Sequence, residues 1–350
     1  MDQSLYTTLD EALDTISPYG IELKNGNSNH APMVAEALCA MGRREAVMPW
    51  IARYRERMSP RSPARDRIRR EAWRAALGQR ERFADWSEFF RDELGEAPWH
   101  DVLERWVGNL ASGFCAAATH GVIRVGHAVR GLSAGETPSR VRELADALAG
   151  WAATWQELPA SDASANGTMR PRQAIARVPI VPPDKRFAGN IVAGLGALDG
   201  FPEFVPVIGL LDTGGEIRTL VAELTDVFAR VYLANARNIP TVIAFIHGVT
   251  SHAALGNIAP HVDDVSARSA LRYAWQTGCA LYACYGTGTA MPDDLEPSDE
   301  TKEGLIDRAV ANGDEHVIKF TEACLSRYDL DPSPAYFAAA DHVTGIIRRC

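Results

Sequence analysis

Histidines and one lysine are the residues of this chain whose types and spacing could support chemistry. His120 and His127 continue the apolar stripe of a helical pattern that starts near Leu103, and most residues between them are apolar. Such a pattern predicts a helix that is buried nearly all round. Polar groups inside a protein are destabilising unless they find partners. The pattern therefore indicates that something in the interior satisfies these imidazoles, and a metal ion is the first candidate.

The same two histidines also fit a role without a metal. On one helix they lie two turns apart, about 10 Å along the axis, which is wider than the one-turn pairs that usually chelate one ion. Both rings would have to lean toward a common point, or the helix would have to bulge near Gly121 and Gly126. Otherwise they are core histidines bonded to backbone carbonyls, and spacing alone leaves both interpretations open.

Two further histidines come from other parts of the chain. His30 follows Asn29, a candidate helix N-cap, and the positive end of a helix dipole favours the neutral imidazole that binds metals. His247 ends an apolar run, so we expect it to be delivered from the interior. On a helix His252 points about 140° away from His247, so the two cannot easily face one site. We expect His252 either behind the ligands, in contact with one of them, or on the surface.

The last candidates share one predicted helix. His316 and Lys319 are one turn apart and lie on the same face. One interpretation is a solvated face with an ion pair between Glu315 and Lys319. The other rests on the apolar residues around them, which predict a largely buried helix. Burial lowers the pKa of a lysine, and the neutral amine can react with carbon dioxide or bind a metal.

The elements that must position these residues are mostly helical. Apolar periodicity predicts a long buried helix over 102–130 and further helices over 217–238, 241–255, 266–285, 301–313, 315–328 and 334–349. The β-branched residues at 241–246 leave a short strand as an alternative. A proline- and glycine-rich segment at about 159–204 is irregular, as active-site covers often are. We predict an all-α, multi-helix single domain over 1–350, packed around a buried metal site.

Composition and missing motifs narrow the function. The chain has 350 residues and a formal charge of −9, which argues against nucleic acid or an anionic membrane as partner. No secretory signal or membrane-length apolar run is visible, and six scattered cysteines are typical of reduced thiols, so we expect a cytoplasmic protein. The glycines at 194–200 only imitate a dinucleotide fingerprint, so no flavin or NAD(P) site is expected. Histidine-rich ligation suits iron, zinc, copper or nickel.

Four blocks of the sequence together resemble the questin oxidase-like family. They read Ser-Asn-His-Ala-Pro-Met at 28–33, His-Gly-Val-Ile-Arg-Val-Gly-His-Ala-Val-Arg at 120–130, His-Gly-Val-Thr at 247–250, and Asp-Glu-His-Val-Ile-Lys-Phe-Thr-Glu-Ala at 314–323. Members open or rearrange anthraquinone-type polyketides by oxidation and were first described as Baeyer–Villiger-type enzymes. Some are non-haem iron dioxygenases, in which four histidines and a carboxylated lysine hold the iron.

Carried onto this chain, the resemblance implies that His30, His120 and His127 bind Fe(II) and that carboxylated Lys319 is an anionic ligand. The fourth histidine is either His247 or His316, and the other one orients the substrate or a ligand. Both are therefore candidates for catalytic roles. Carboxylation also answers a physical problem, since four neutral imidazoles leave the charge of a buried ion uncompensated.

The resemblance implies oxidative ring cleavage of an aromatic polyketide, such as an anthraquinone or a quinol, with O2 as co-substrate. Trp50, Tyr54 and Trp106 are candidate walls of an apolar pocket, with the segment 169–204 as a lid. Three other interpretations stay open: a zinc hydrolase with a carbamylated lysine, a non-catalytic protein that binds an aromatic metabolite, and an iron enzyme of this family whose substrate is not an anthraquinone. The sequence does not specify the oligomeric state.

Overall fold

Helices make up nearly all of the regular structure. The computed structural model describes residues 6–161, 167–288, 291–292, 295 and 298–347. Two short strands, β1 (Tyr19–Leu23) and β2 (Met58–Pro60), pair antiparallel. The α-helices of the described residues are α1 (Leu9–Ile16), α2 (Ala31–Ala40), α3 (Arg44–Tyr54), α4 (Phe83–Glu96), α5 (Trp99–Leu110), α6 (His120–Ala134), α7 (Pro138–Ala153), α8 (Pro171–Ile175), α9 (Ile191–Leu195), α10 (Ile217–Asn235), α11 (Ile239–Ile258), α12 (Asp264–Tyr285), α13 (Lys302–Asn312), α14 (Glu315–Tyr328) and α15 (Pro334–Ile346).

The predicted all-α class is confirmed, and the helices of the C-terminal half begin and end close to their predicted positions. The residues at 241–246 belong to helix α11, so the alternative of a strand there is wrong. Local chemistry explains the helix: Asn238 and Thr241 form a reciprocal capping box, and Pro240 lies in the first turn, where it needs no hydrogen-bond donor.

Helix α11 lies at the centre of the molecule. It packs against α6, α10, α12 and α14, and most of its residues are buried. With the turn that follows it, the stretch Ile239–His261 is long and apolar enough to cross a membrane, but 78% of its most apolar window is buried inside the protein. Such burial inside the protein is typical of a core helix. The helices α2, α6 and α14, which pack on one another or on α11, surround the same region.

The predicted long helix over 102–130 is broken, which corrects the sequence analysis. Helix α5 ends at Leu110, a 3₁₀ turn follows at Ala111–Gly113, and α6 begins only at His120. Close packing enforces the break, because a Cβ atom on Gly113 would lie 2.1 Å from the indole of Trp155. His120 is therefore the first residue of a new helix.

The irregular segment is confirmed as irregular in the part that the structure describes. Between 167 and 204 it contains the short helices α8 and α9 joined by loops and 3₁₀ turns. Residues 162–166 of the predicted segment lie outside the described residues. Gly189, Asn190, Ile191 and Val192 line a large cavity, so this segment forms one wall over the interior.

Candidate metal centre

Four helices bring four histidines together. His30 directly precedes α2, His120 begins α6, His247 lies inside α11, and His316 is in the first turn of α14. His30 and His247 are buried, and His120 and His316 are partly buried. Three of the four therefore lie at helix N-termini, where the helix dipole disfavours a protonated ring.

The imidazole rings converge at short distances. Nε2 of His120 lies 2.8 Å from Nε2 of His30 and 3.4 Å from Nε2 of His247. The ring of His316 is centred 4.7 Å from that of His30 and 6.0 Å from that of His247. Both candidates for the fourth histidine, His247 and His316, thus lie in one cluster with His30 and His120. We call these four residues the histidine cluster.

Oxygen atoms nearby in the chain hold three of these rings. Nδ1 of His120 lies 2.6 Å from the carbonyl oxygen of Ala117, and Nδ1 of His247 lies 2.7 Å from that of Ile243. Nδ1 of His316 lies 3.3 Å from a carboxylate oxygen of Asp314. A ring that donates its Nδ1–H in this way keeps the lone pair on Nε2 free to bind a cation.

The backbone around His30 is also fixed. Its N–H donates to the hydroxyl oxygen of Tyr54 at 3.1 Å, and the side chain of Asn29 accepts from the N–H of Ala31 at 3.0 Å. His30 itself occupies the N-cap position expected for Asn29. Its Nδ1 atom is buried and has no hydrogen-bond partner among the described residues. An imidazole nitrogen without a partner in a dry interior is costly, so the site fits an additional ligand or cation.

Burial keeps the rings of His30, His120 and His247 neutral. Burial lowers the pKa of His247 to about 3, with smaller contributions from His316 and Lys319. Burial likewise lowers the pKa of His30 and of His120 well below the ordinary value, and the nearby charge of Lys319 acts in the same direction. Neutral imidazole is the form that binds metals.

Lys319 is buried beside the cluster. The exposed fraction of this residue is 2%, and the contact found for its amine is the sulfur of Met33 at 4.0 Å. Burial lowers its pKa from 10.5 to about 8, although Glu315 and Asp314 act in the opposite direction. A substantial fraction of the amine is therefore neutral near pH 8. The expected ion pair between Glu315 and Lys319 does not form, since both oxygens of Glu315 accept from Arg57 at 3.0 and 3.2 Å.

His127 is not brought to the histidine cluster. Its Nδ1 lies 2.5 Å from a carboxylate oxygen of Glu36, which also accepts from Arg130 at 2.6 Å. Arg130 in turn pairs with Glu322. Helix α6 runs without the bulge that would let His120 and His127 reach one point, so the second ring meets a different polar group. We therefore leave His127 out of the proposed ligand set.

His252 occupies a third environment. It is fully buried, its Nδ1 lies 2.5 Å from the carbonyl oxygen of Gly248, and its ring stacks on Phe228. The expectation that it lies outside the cluster agrees with this position, whereas the alternative of a surface residue is wrong. It is a core histidine packed between helices.

Glu315 belongs to the site although sequence analysis assigned it elsewhere. One of its carboxylate oxygens, one nitrogen of His30 and one nitrogen of His316 lie within 4.8 Å of one another. The only sequence signal was its position next to His316, which is equally typical of a solvated helix start. A pairing with Arg57 shows that Glu315 belongs to the site and not to a solvated helix start, but Arg57 lies 258 positions away in the sequence.

A cavity of about 350 Å³ opens onto the histidine cluster, a size typical of small-molecule sites. Its lining combines apolar residues with a few polar ones. The described lining residues are Leu23, Gly26, Asn27, Ser28, His30, Arg80, Ala117, Ala118, His120, Gly189, Asn190, Ile191, Val192, Ile239, Pro240, Ile243, His247, Tyr285, Glu315 and His316.

The aromatic residues expected to line the pocket do not do so. Trp50 stacks on Tyr54 and donates its indole N–H to the carbonyl oxygen of Gly313. Trp106 packs edge to face against Trp73 and Phe90 in the core. Tyr54 instead acts at the site indirectly, because its hydroxyl accepts the hydrogen bond from the backbone of His30. Helical spacing could not separate core aromatics from pocket aromatics.

The donor set fits a transition-metal ion. Nitrogens that bind one ion at about 2.1 Å lie roughly 3.0 to 3.4 Å apart. The Nε2 separations of 2.8 and 3.4 Å in the cluster are close to that range. Neutral imidazoles suit iron, zinc, copper or nickel better than magnesium or calcium. The nearly unpartnered amine of Lys319 is consistent with a further ligand at this place.

Comparison with known proteins gives one positive result. The family model described as questin oxidase-like matches residues 27–157. The matched region contains His30, His120 and His127, while His247, His316 and Lys319 lie outside it. A search of curated proteins found no match to the chain. The family match confirms the resemblance drawn from the sequence, and it shows that residues 27–157 are similar to this family.

Proposed function

We propose that the chain is a non-haem iron oxygenase of the dioxygenase type, which cleaves a ring of an aromatic polyketide such as an anthraquinone or a quinol. The observation that carries the proposal is the convergence of the Nε2 atoms of His30, His120 and His247, with separations of 2.8 and 3.4 Å. The questin oxidase-like match suggests an oxidase that acts on polyketides, which supports the same class of reaction.

The proposed ligands are the histidine cluster and Lys319. The neutral amine of Lys319 would add to the carbon of carbon dioxide and release one proton, which gives a carbamate. The anionic oxygen of that carbamate would balance part of the charge of Fe(II), which neutral imidazoles cannot do. Fe(II) at this place would supply the electron transfer to O2 that ring cleavage requires.

The residues of the chain itself would hold and shield the reactants. The oxygens of Ala117, Ile243 and Asp314 fix the orientation of three rings. The Nε2 atoms of His120 and His247 thereby lie 3.4 Å apart. Apolar residues such as Ile191 and Ile239 line the cavity, favour a flat aromatic ligand and exclude water. We propose that the segment including Gly189–Val192 covers the bound substrate.

Metal analysis of the chain, purified without added metal, tests the proposal. About one iron per chain supports the oxygenase. Zinc in place of iron supports the hydrolase with a carbamylated lysine. A folded protein without any metal supports the binding protein, and would overturn both metal-dependent functions.

Single substitutions test the ligand set. His247→Gln and Lys319→Ala should each lower iron occupancy at least tenfold, since loss of one ligand removes several kcal/mol of binding. Full iron occupancy in Lys319→Ala would show that Lys319 is not a metal ligand. Carbon-13 NMR after exchange with labelled bicarbonate would show a carbamate signal in the unsubstituted protein and none in Lys319→Ala.

Oxygen consumption tests the substrate class. The iron-loaded protein should consume O2 with at least one member of a panel of anthraquinones and quinols, and mass spectrometry of the product should show incorporated oxygen. An iron-loaded protein that consumes no O2 with any flat aromatic of the panel would contradict the proposed class.

A further inference from the structure

The cavity beside the histidine cluster contains one buried carboxylate. Of the described residues that line it, only Arg80 and Glu315 carry a formal charge at neutral pH. Glu315 is 7% exposed, whereas Arg80 has a half-exposed side chain and is paired with Glu22. The negative charge of Glu315 therefore lies at the inner part of the cavity wall, next to His316.

Arg57 holds this carboxylate by an ion pair. Its two terminal nitrogens donate to the two oxygens of Glu315 at 3.0 and 3.2 Å, in the forked geometry that arginine forms with carboxylates. The Arg57 side chain itself is half exposed, so it reaches in from the surface. The pairing fixes the orientation of the Glu315 carboxylate.

Part of the hydrogen-bonding capacity of Glu315 stays unused. An ionised carboxylate offers about four lone-pair directions. The two hydrogen bonds from Arg57 use two of them, and no third donor to these oxygens is found among the described residues. A buried acceptor that borders an open cavity is completed when a ligand donates a hydrogen bond to it.

We propose that Glu315 is a substrate-binding residue, which accepts a hydrogen bond from a free aromatic hydroxyl group and so selects phenolic substrates. This inference rests on the proposed function and narrows its substrate class to aromatics with an unsubstituted hydroxyl. Because one carboxylate oxygen lies within 4.8 Å of nitrogens of His30 and His316, a hydroxyl bound there places its ring beside the histidine cluster.

The pairing with Arg57 sets the chemistry of this contact. A carboxylate held by a guanidinium is an effective hydrogen-bond acceptor, and charge-assisted hydrogen bonds are roughly twice as strong as neutral ones. A methyl ether at the same position cannot donate and leaves the buried acceptor unsatisfied. Discrimination of this kind is much larger than the effect of one added methyl group in an apolar pocket.

A matched ligand pair tests the proposal without relying on turnover. We would measure dissociation constants of 2-naphthol and 2-methoxynaphthalene at pH 7 by fluorescence, on the protein as purified and after treatment with a chelator. The unsubstituted protein should bind 2-naphthol about tenfold more tightly, although the methyl ether is the more apolar ligand. Equal affinities would overturn the proposal.

Substitutions assign the preference to Glu315. Glu315→Gln should reduce the preference for 2-naphthol over 2-methoxynaphthalene to about twofold or less, since the charge-assisted hydrogen bond is lost. Glu93→Gln is the matched control, because Glu93 is also a buried glutamate paired with arginines but lies outside the cavity. This control should leave the preference intact. Glu315→Ala is the second variant, and a preference that persists in both Glu315 variants would refute the role.

Iron occupancy separates this inference from a ligand role and from the proposed function. Glu315→Gln should keep its iron, and a tenfold loss would make Glu315 a metal ligand instead, which overturns the inference. A protein that holds no metal but keeps the hydroxyl preference would overturn the proposed function and leave the role of Glu315 standing.

Discussion

Three histidines of the cluster are oriented by oxygens two to four residues earlier in the chain. His120 pairs with Ala117, His247 with Ile243 and His316 with Asp314. These contacts are local, so each short segment carries both the ring and the group that fixes its tautomer. The ring of His127 is different because its partner, Glu36, comes from another helix. A hydrogen-bond partner close in sequence thus distinguishes these three clustered histidines from His127, whose partner lies on another helix.

This distinction gives the first prediction. His120→Gln should lose most of the bound iron, because it removes the nitrogen that lies between those of His30 and His247. His127→Gln should retain iron within about twofold, while the free energy of unfolding falls by about 1–3 kcal/mol because Glu36 loses a buried hydrogen bond. Metal analysis and urea unfolding of both variants measure the two effects. Loss of iron in His127→Gln would return this residue to the ligand set.

Backbone strain accompanies the placement of His120. Ala117, Ala118 and Thr119 all have positive φ angles, of 48°, 55° and 72°. Each such residue with a Cβ atom costs about 1–2 kcal/mol relative to the ordinary conformation. The strained turn presents the carbonyl oxygen of Ala117 to Nδ1 of His120 and lines the cavity. Strain of this kind persists where the surrounding structure enforces it, often at functional sites.

Relief of this strain is the second prediction. Ala118→Gly removes the Cβ atom at a left-handed position, whereas Ala116→Gly makes the same change at a buried neighbour without a positive φ. Both variants lose one methyl group and gain the same freedom in the unfolded chain. Ala118→Gly should therefore be more stable than Ala116→Gly by about 1–2 kcal/mol. Urea unfolding compares them, and equal losses would show that the turn is not strained.

At the scale of elements, the sequence predicted the helices well and their interruptions poorly. Periodicity placed α10 to α15 because each has a clear apolar face and, for most, a capping residue such as Asn238 or Asp314. It missed the break before α6, since residues 111–119 are mostly small, carry no charge and contain no proline. The break depends on Trp151 and Trp155, whose packing against Gly113 and Gly121 is a tertiary effect. The pairing of β1 with β2 was missed for the same reason.

The candidate site was predicted in part for a related reason. His30, His120, His247, His316 and Lys319 were candidates from their types and positions, and the family resemblance implied that they bind a metal. The structure places the four histidines together. Which of them share one point could not be read from spacing, as His127 demonstrates. Arg57 and Glu315 are too distant in sequence for any pattern to pair them. The walls of the cavity come from loops and from several helices that are distant in sequence, so no single periodicity predicts them.

A buried ion-pair network joins the helices that carry the cluster. Glu36 of α2 accepts from Arg130 of α6 at 2.7 and 2.6 Å, and Arg130 also pairs with Glu322 of α14. The hydroxyl of Tyr6 donates to Glu36 at 2.8 Å. These helices also carry or directly follow His30, His120 and His316. The network therefore fixes the relative positions of three of the four histidines.

Removing its central charge is the third prediction. Arg130→Met leaves two buried carboxylates without their cation, which should lower the free energy of unfolding by about 3–5 kcal/mol. Iron occupancy should fall as well, because α2, α6 and α14 shift relative to one another. Arg43→Met is the control: its partners Glu303 and Asp307 are largely exposed, so the loss should stay within about 1 kcal/mol. Similar losses in both variants would contradict the structural role of the network.

At the scale of the whole molecule, the buried histidines couple stability to pH. Burial lowers the pKa of His252 from 6.5 to about 4, and the nearby carbonyls of Gly248 and Ala274 oppose this only in part. His252 thus stays neutral in the folded chain at pH values where the unfolded chain binds a proton. The unfolded state then holds more protons, so stability rises with pH. The contribution of His252 is complete above pH 6.5 and is lost as the pH falls toward 4.

This coupling gives the last prediction. A shift of that size corresponds to about 3 kcal/mol between neutral pH and pH 4. His252→Gln removes the titrating ring, so its free energy of unfolding should depend less steeply on pH between 6.5 and 4 than that of the unsubstituted chain. Unfolding is measured in chelator-treated protein, because release of a bound metal from the histidine cluster would add a pH dependence of its own. His100→Gln, at a surface position exposed to water, is the control and should leave the slope unchanged. An unchanged slope in His252→Gln would mean that the fold opens enough around α11 to protonate His252 without unfolding.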